Sequence, residues 1–101
     1  MQVGDLVLDR DARCVYRATL RIELPPVQYK LMELLMSRHP QMVTREDIEQ
    51  LIWGEAKPDS DALRTHMHML RALIDKPFDK PLLRTVRGVG YQLLSGNEAR
   101  N

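Results

Sequence analysis

The chain has a single cysteine, aromatics at only 5% and no long apolar run, and each scarcity removes a class of answer. The lone Cys14 can close no intrachain disulfide and anchor no cysteine zinc site, which leans towards a reducing, cytosolic compartment. No apolar stretch approaches the roughly 18 residues that a membrane span needs. The opening Met1-Gln2-Val3-Gly4-Asp5 lacks the basic and then apolar order of a secretory signal. With so few aromatics, the core must rest on Leu, Ile, Val and Met. At 101 residues one core is expected, too small for a barrel of eight βα units or a doubly wound dinucleotide fold.

Catalytic signatures are also missing. His66 and His68 lie two apart in a helical pattern, about 200° away from one another, so they cannot chelate one ion. Cys14 has no nearby base to activate it, and His39 precedes a proline in a connection. The expectation is a non-enzyme without cofactor or metal.

Charge is informative in its distribution. The formal net charge is only +1. Residues 1–63 nevertheless carry eight basic side chains against eleven acidic ones, whereas residues 64–101 carry seven against three. The basic set is Arg64, Arg71, Lys76, Lys80, Arg84, Arg87 and Arg100. Such asymmetry points to a face for a polyanion.

Along the chain, Leu6-Val7-Leu8, Cys14-Val15-Tyr16 and the alternating Leu20, Ile22 and Leu24 read as three short antiparallel strands. Pro25-Pro26 opens a first helix whose apolar stripe is Val27, Leu31, Leu34 and Leu35, widened by Met32 and Met36. Thr44-Arg45-Glu46-Asp47 has capping-box spacing and starts a second helix on Ile48, Leu51 and Ile52, stopped near Gly54. A polar, proline-broken connection follows from Glu55 to Ser60. In the third helix, about 61–75, Leu63, Met67, Leu70 and Ile74 form one tight stripe. Asp61, Arg64, Thr65, His68 and Arg71 take the other side, with Met69 on its flank. Asp61 is expected to cap this helix. Two β-rich runs around Arg87-Gly88-Val89-Gly90 then form a hairpin, about 84–93, whose glycines are expected to supply positive φ.

This order specifies an α+β winged helix-turn-helix: strands over 1–24, a three-helix bundle with a C-terminal wing over 25–94, one domain over 1–95, and a tail over 96–101. In it the third helix is free to enter a major groove, and the wing places Arg87 beside a phosphate or minor groove. Arg64, Thr65, His68 and Arg87 are the leading contacts. Met69 stands either as a contact to a thymine methyl or as a filler, and His66 either as a phosphate donor or as a packed edge residue. Arg71 can reach a phosphate or pair with Asp75 four residues on. Thr85 and Tyr91 flank the wing with hydroxyls that can donate, and Gly88 forms its tip. A winged helix used only for protein interaction is the competing reading.

Several runs resemble the DNA-binding effector domain of OmpR/PhoB-type response regulators, from about Leu6 to Leu94. The family's first-helix signature is similar to Leu24-Pro25-Pro26-Val27-Gln28-Tyr29-Lys30-Leu31-Met32. Its second-helix pattern resembles Thr44-Arg45-Glu46-Asp47-Ile48 with Trp53-Gly54, and its recognition helix His66-Met67-His68-Met69-Leu70-Arg71. The most specific run is Thr85-Val86-Arg87-Gly88-Val89-Gly90-Tyr91. Where many members carry a capping Thr and a Glu in helix one, this chain has Pro25 and Gln28; where many carry two basic residues before Leu-Arg, it has His68 and Met69.

The resemblance implies sequence-specific binding of double-stranded DNA, a cytoplasmic location, and pairing as a homodimer on tandem half-sites. Phosphorylation by a cognate kinase of a receiver domain, absent from these residues, would drive that pairing, and the chain alone would be a monomer. It also implies that the connection holding Glu55, Lys57 and Asp59 is where RNA polymerase can be engaged.

Overall fold

The computed structural model describes residues 1–56, 58, 59 and 61–96. Lys57 and the tail beyond residue 96 lie outside the described residues. Four strands come first: β1 (Gln2–Val3), β2 (Leu6–Asp9), β3 (Cys14–Arg17) and β4 (Leu20–Glu23), an antiparallel meander in sequence order. The sequence reading expected three; β1 is two residues long, too short for any periodicity, and exists through its pairing with Leu6 and Val7. The β3–β4 turn holds Ala18 and Thr19 at φ +50° and +79°. Two-residue hairpin turns ask for that backbone and normally take it from Asn or Gly. Leu20 is exposed at the start of β4, whereas Ile22 is buried and Leu24 is half-buried and packed against the core.

α1 (Pro26–Arg38) begins with proline at its first turn. Its buried residues are Gln28, Tyr29, Leu31, Met32, Leu35 and Met36, while Val27 and Leu34 are half-buried. The buried face is therefore rotated from the expected stripe and includes a polar side chain. A short strand, β5 (Val43–Thr44), leads directly into α2 (Arg45–Trp53). The Thr44 hydroxyl accepts from the Asp47 N–H at 3.1 Å, so the expected cap is made. Gly54 closes the helix at φ +61° with its N–H on the Gln50 carbonyl. Ile48 alone is fully buried in α2, and Leu51 faces solvent instead of the core.

α3 (Ala62–Ile74) buries Leu63, Met67, Leu70 and Ile74, all four of the expected stripe. Strands β6 (Leu83–Val86) and β7 (Gly90–Leu93) form the wing, and β5 adds to β7 to complete a sheet in the order β5-β7-β6. Leu6, Leu8 and Val15 from the first sheet join Leu31, Leu35, Leu70 and Leu93 in one core.

A buried charged network holds the C-terminus of α3 to both sheets. Arg17 on β3 and Asp75 just after α3 are 3% and 5% exposed, and Arg17 Nη1 lies 3.0 Å from Asp75 Oδ1. Arg17 also donates to the carbonyls of Ile74 and Lys80 and lies 4.4 Å over the Phe78 ring. Asp75 in turn accepts the backbone N–H groups of Leu82 and Leu83, at 2.9 Å each. Burial of a charge is tolerable only with this degree of pairing.

Candidate nucleic-acid interface

With its apolar stripe buried, α3 presents a defined outer surface. Arg64, Thr65, His68 and Met69 are all exposed on it. Helical geometry divides that surface into flanks: Arg64 and Arg71 lie towards the wing, Thr65 and His68 point outwards, and His66 and Met69 lie towards α1. Thr65 uses its hydroxyl within the helix, donating to the Asp61 carbonyl at 3.0 Å. Asp61 does not cap as expected. Its backbone is already near-helical, at φ −93° and ψ −4°, and its carboxylate makes no cap bond.

The Arg71 side chain turns to the wing. Its Nη2 donates to the Leu83 carbonyl at 3.3 Å and to the Thr85 hydroxyl at 2.8 Å. The alternative partner Asp75 is committed to Arg17 and to backbone donors. Because Thr85 accepts from Arg71, its own hydroxyl proton remains to be given to an outside acceptor. Tyr91 is half-buried and stands opposite both Val43 and Thr85, packed against the core.

The wing tip is positioned by backbone contacts. Gly88 sits at φ +77°, with nothing near a would-be Cβ. Gly90 does not share that conformation, contrary to the expectation from sequence; it is required because a Cβ there would lie 2.0 Å from the Val43 carbonyl oxygen. This close approach lets β5 pair with β7, and the Arg45 N–H donates to the Val89 carbonyl at 3.1 Å. The tip is thus tied to the first turn of α2.

Between them, α2, α3 and the wing enclose an open groove of about 220 Å³, lined among others by Arg45, Arg64, Thr85, Arg87 and a single carboxylate, Glu46. Among the described residues, no ion pair engages Arg64, Arg84 or Arg87. Arg45 has only Glu49, at 3.9 Å. Arg45 was missed by motif reading, although a signal exists: a cation in the first turn of a helix opposes the helix dipole and invites an explanation outside the helix. Arg21, whose guanidinium is held above its ordinary range by the hydrogen bond it donates to Glu23, is exposed on β4.

His66 faces inwards. Its Nδ1 lies 3.0 Å from the Gln28 amide nitrogen, and its ring centroid is 5.8 Å from that of Trp53. Of the two readings left open for it, the packed one describes its position. Glu55 and Asp59 are exposed in the α2–α3 connection.

The family described as "Transcriptional regulatory protein, C terminal" matches residues 19–93. The chain belongs to that family. It is an OmpR/PhoB-type effector domain, as the sequence runs implied. The phosphate regulon transcriptional regulatory protein PhoB of Rhizobium meliloti (strain 1021) is 31% identical over 96 residues, covering 94% of this chain and 42% of the relative. The DNA-binding domain of CpxR from E. coli superposes with a TM-score of 0.78 at 28% identity, covering 95% of this chain and 96% of that domain. DrrB, an OmpR/PhoB homolog of Thermotoga maritima, superposes at 0.80 with 27% identity, over 93% of this chain and 43% of DrrB. The effector domain spans about two-fifths of the length of the curated relatives it matches.

Proposed function

We propose that this chain binds double-stranded DNA in a sequence-dependent way as the output domain of a two-component transcription regulator. The α3 surface of Thr65, His68 and Met69 enters the major groove, while Arg45, Arg64 and Arg87 hold backbone phosphates to one side of it. The observation that carries this reading is the groove beside an exposed recognition helix in which Arg64 and Arg87, among the described residues, have no ion-pair partner. An arginine without an internal partner meets a phosphate at little rearrangement, and phosphate contacts set register while α3 reads base edges.

Titration of a fluorescent duplex, obtained by selection from random sequences, tests it. R64A and R87A should each weaken binding by about tenfold or more, the usual worth of a charge-assisted hydrogen bond. Each should also lower the slope of log affinity against log salt by about one. Affinity that is insensitive to salt and to both substitutions would instead assign the face to a protein partner.

Further partners belong to the same proposal: a second copy on tandem half-sites, a receiver domain phosphorylated by a cognate kinase, and RNA polymerase at the α2–α3 connection, with the whole acting in the cytoplasm. Reversing the charges of Glu55 and Asp59 should lower transcription in a reconstituted assay while DNA affinity stays constant. Normal transcription from that variant removes the connection from the polymerase interface.

A further inference from the structure

Gln28 is the third residue of α1, the position from which a side chain ordinarily reaches back to the backbone N–H of the helix cap. Here the cap is Pro25, which has no N–H and makes no side-chain cap bond. The Gln28 amide is thereby released from capping, yet it is only 1% exposed and must find partners inside the protein. It finds them on the recognition helix. The nitrogen Nε2 lies 3.0 Å from His66 Nδ1, 3.2 Å from Met69 Sδ and 3.3 Å from the His66 carbonyl oxygen. The carbonyl oxygen and the sulfur fix the orientation of the amide, since the reverse would set its oxygen against both, and the two amide protons are shared among the three contacts.

Met69 is 47% exposed on the α3 surface although its sulfur is held from within. A methionine ordinarily has three free rotors and adapts to whatever it meets. With the sulfur held, the terminal methyl keeps only the rotation about the Cγ–Sδ bond, so it has fewer places to go than a free methionine's. We propose that Gln28 is a positioning residue for base recognition, holding the Met69 thioether so that its methyl is presented to the 5-methyl group of a thymine. This rests on the DNA-binding reading above and deepens it. A thymine methyl is the one apolar feature of the major groove, and apolar side chains are its natural contact.

The probe is a duplex selected from random sequences, with each dT replaced in turn by dU, which removes only the 5-methyl group. The wild-type chain should lose about fourfold in affinity at one position, the worth of one methyl kept from water. M69A should abolish that loss. Q28A should reduce it at least by half although Gln28 touches no base, because the methyl is then presented in many orientations. A purely structural role would weaken Q28A binding to dT and dU duplexes equally and leave their ratio intact, and that result overturns the proposal. So does the absence of any dU penalty, or one that M69A leaves in place. Should Q28A fail to fold, Gln28→Met, of similar length and without a donor, reads the same ratio. A wild-type chain that selects no duplex at all overturns the DNA-binding reading, and this inference with it, and is distinguishable from every result above.

Discussion

Alanine at Asp75 should cost about 3–5 kcal/mol of folding stability, a large share of the roughly 5–15 kcal/mol that holds a domain together. The carboxylate accepts three donors from within the protein: the Arg17 guanidinium and the N–H groups of Leu82 and Leu83. Removing it leaves a buried cation short of its counter-charge and two backbone donors unsatisfied, each of which carries its own desolvation cost. At the usual conversion for a chain of this size, the melting midpoint falls by roughly 15–30 °C. Arg17→Met should be severe as well, since Asp75 then stays buried without its cation and the stacking on Phe78 is lost. The two changes share one network, so the double variant should cost less than the sum of the singles, by about 0.5–3 kcal/mol. Thermal and urea unfolding of the four proteins checks this. A loss below about 1 kcal/mol for D75A, or strict additivity, contradicts the account.

Alanine at Gly90 should be nearly as damaging, and for an unrelated reason. The added carbon would meet the Val43 carbonyl oxygen at 2.0 Å and the Thr44 Cα at 2.8 Å, both backbone atoms that cannot swing aside. Either β5 leaves β7 or the wing rotates away from α2, and both break the Val43–Tyr91 and Thr44–Gly90 pairing. Overpacking of this kind costs about 1–3 kcal/mol, and the upper end is expected where backbone must move. Because the displaced hairpin carries Arg87, duplex affinity should fall together with stability. Gly88→Ala is the control: its φ of +77° costs about 1 kcal/mol in a non-glycine residue, but open space surrounds the site. Equal unfolding midpoints for G90A and G88A would show that the close approach is not what requires Gly90.

What could be read from the sequence follows from how local each signal is. The α3 stripe repeats at helical spacing within the helix itself, and the Thr44 cap and the glycine-bearing wing are equally local, so these elements and the exposed face were foreseeable. β1 and β5 are two residues each and exist through their partners, which no periodic pattern announces. The Ala18–Thr19 turn adopts positive φ without the Gly or Asn that would advertise it, because the flanking strand pairs impose it. Asp75 looked like a partner for Arg71, four residues away, but its partner is 58 positions earlier in the chain. Gln28 read as a departure from a family pattern; that it bonds to α3 depends on how two helices cross. Arg45 was visible as a residue, and its place in the groove came from the Val89 contact with the start of α2.

The bond from Arg71 to Thr85 has a consequence for the kind of double helix this surface can grip. It joins the recognition helix to the hairpin before any ligand arrives, and on the proposed DNA-binding reading the two would meet a duplex as the jaws of a calliper. A B-form duplex offers a wide groove for one jaw and a sugar-phosphate rail for the other. An A-form RNA duplex, whose major groove is deep and narrow, would keep the helix out while the hairpin still met its rail. On that reading, helical form itself would be a criterion of selection, ahead of any base.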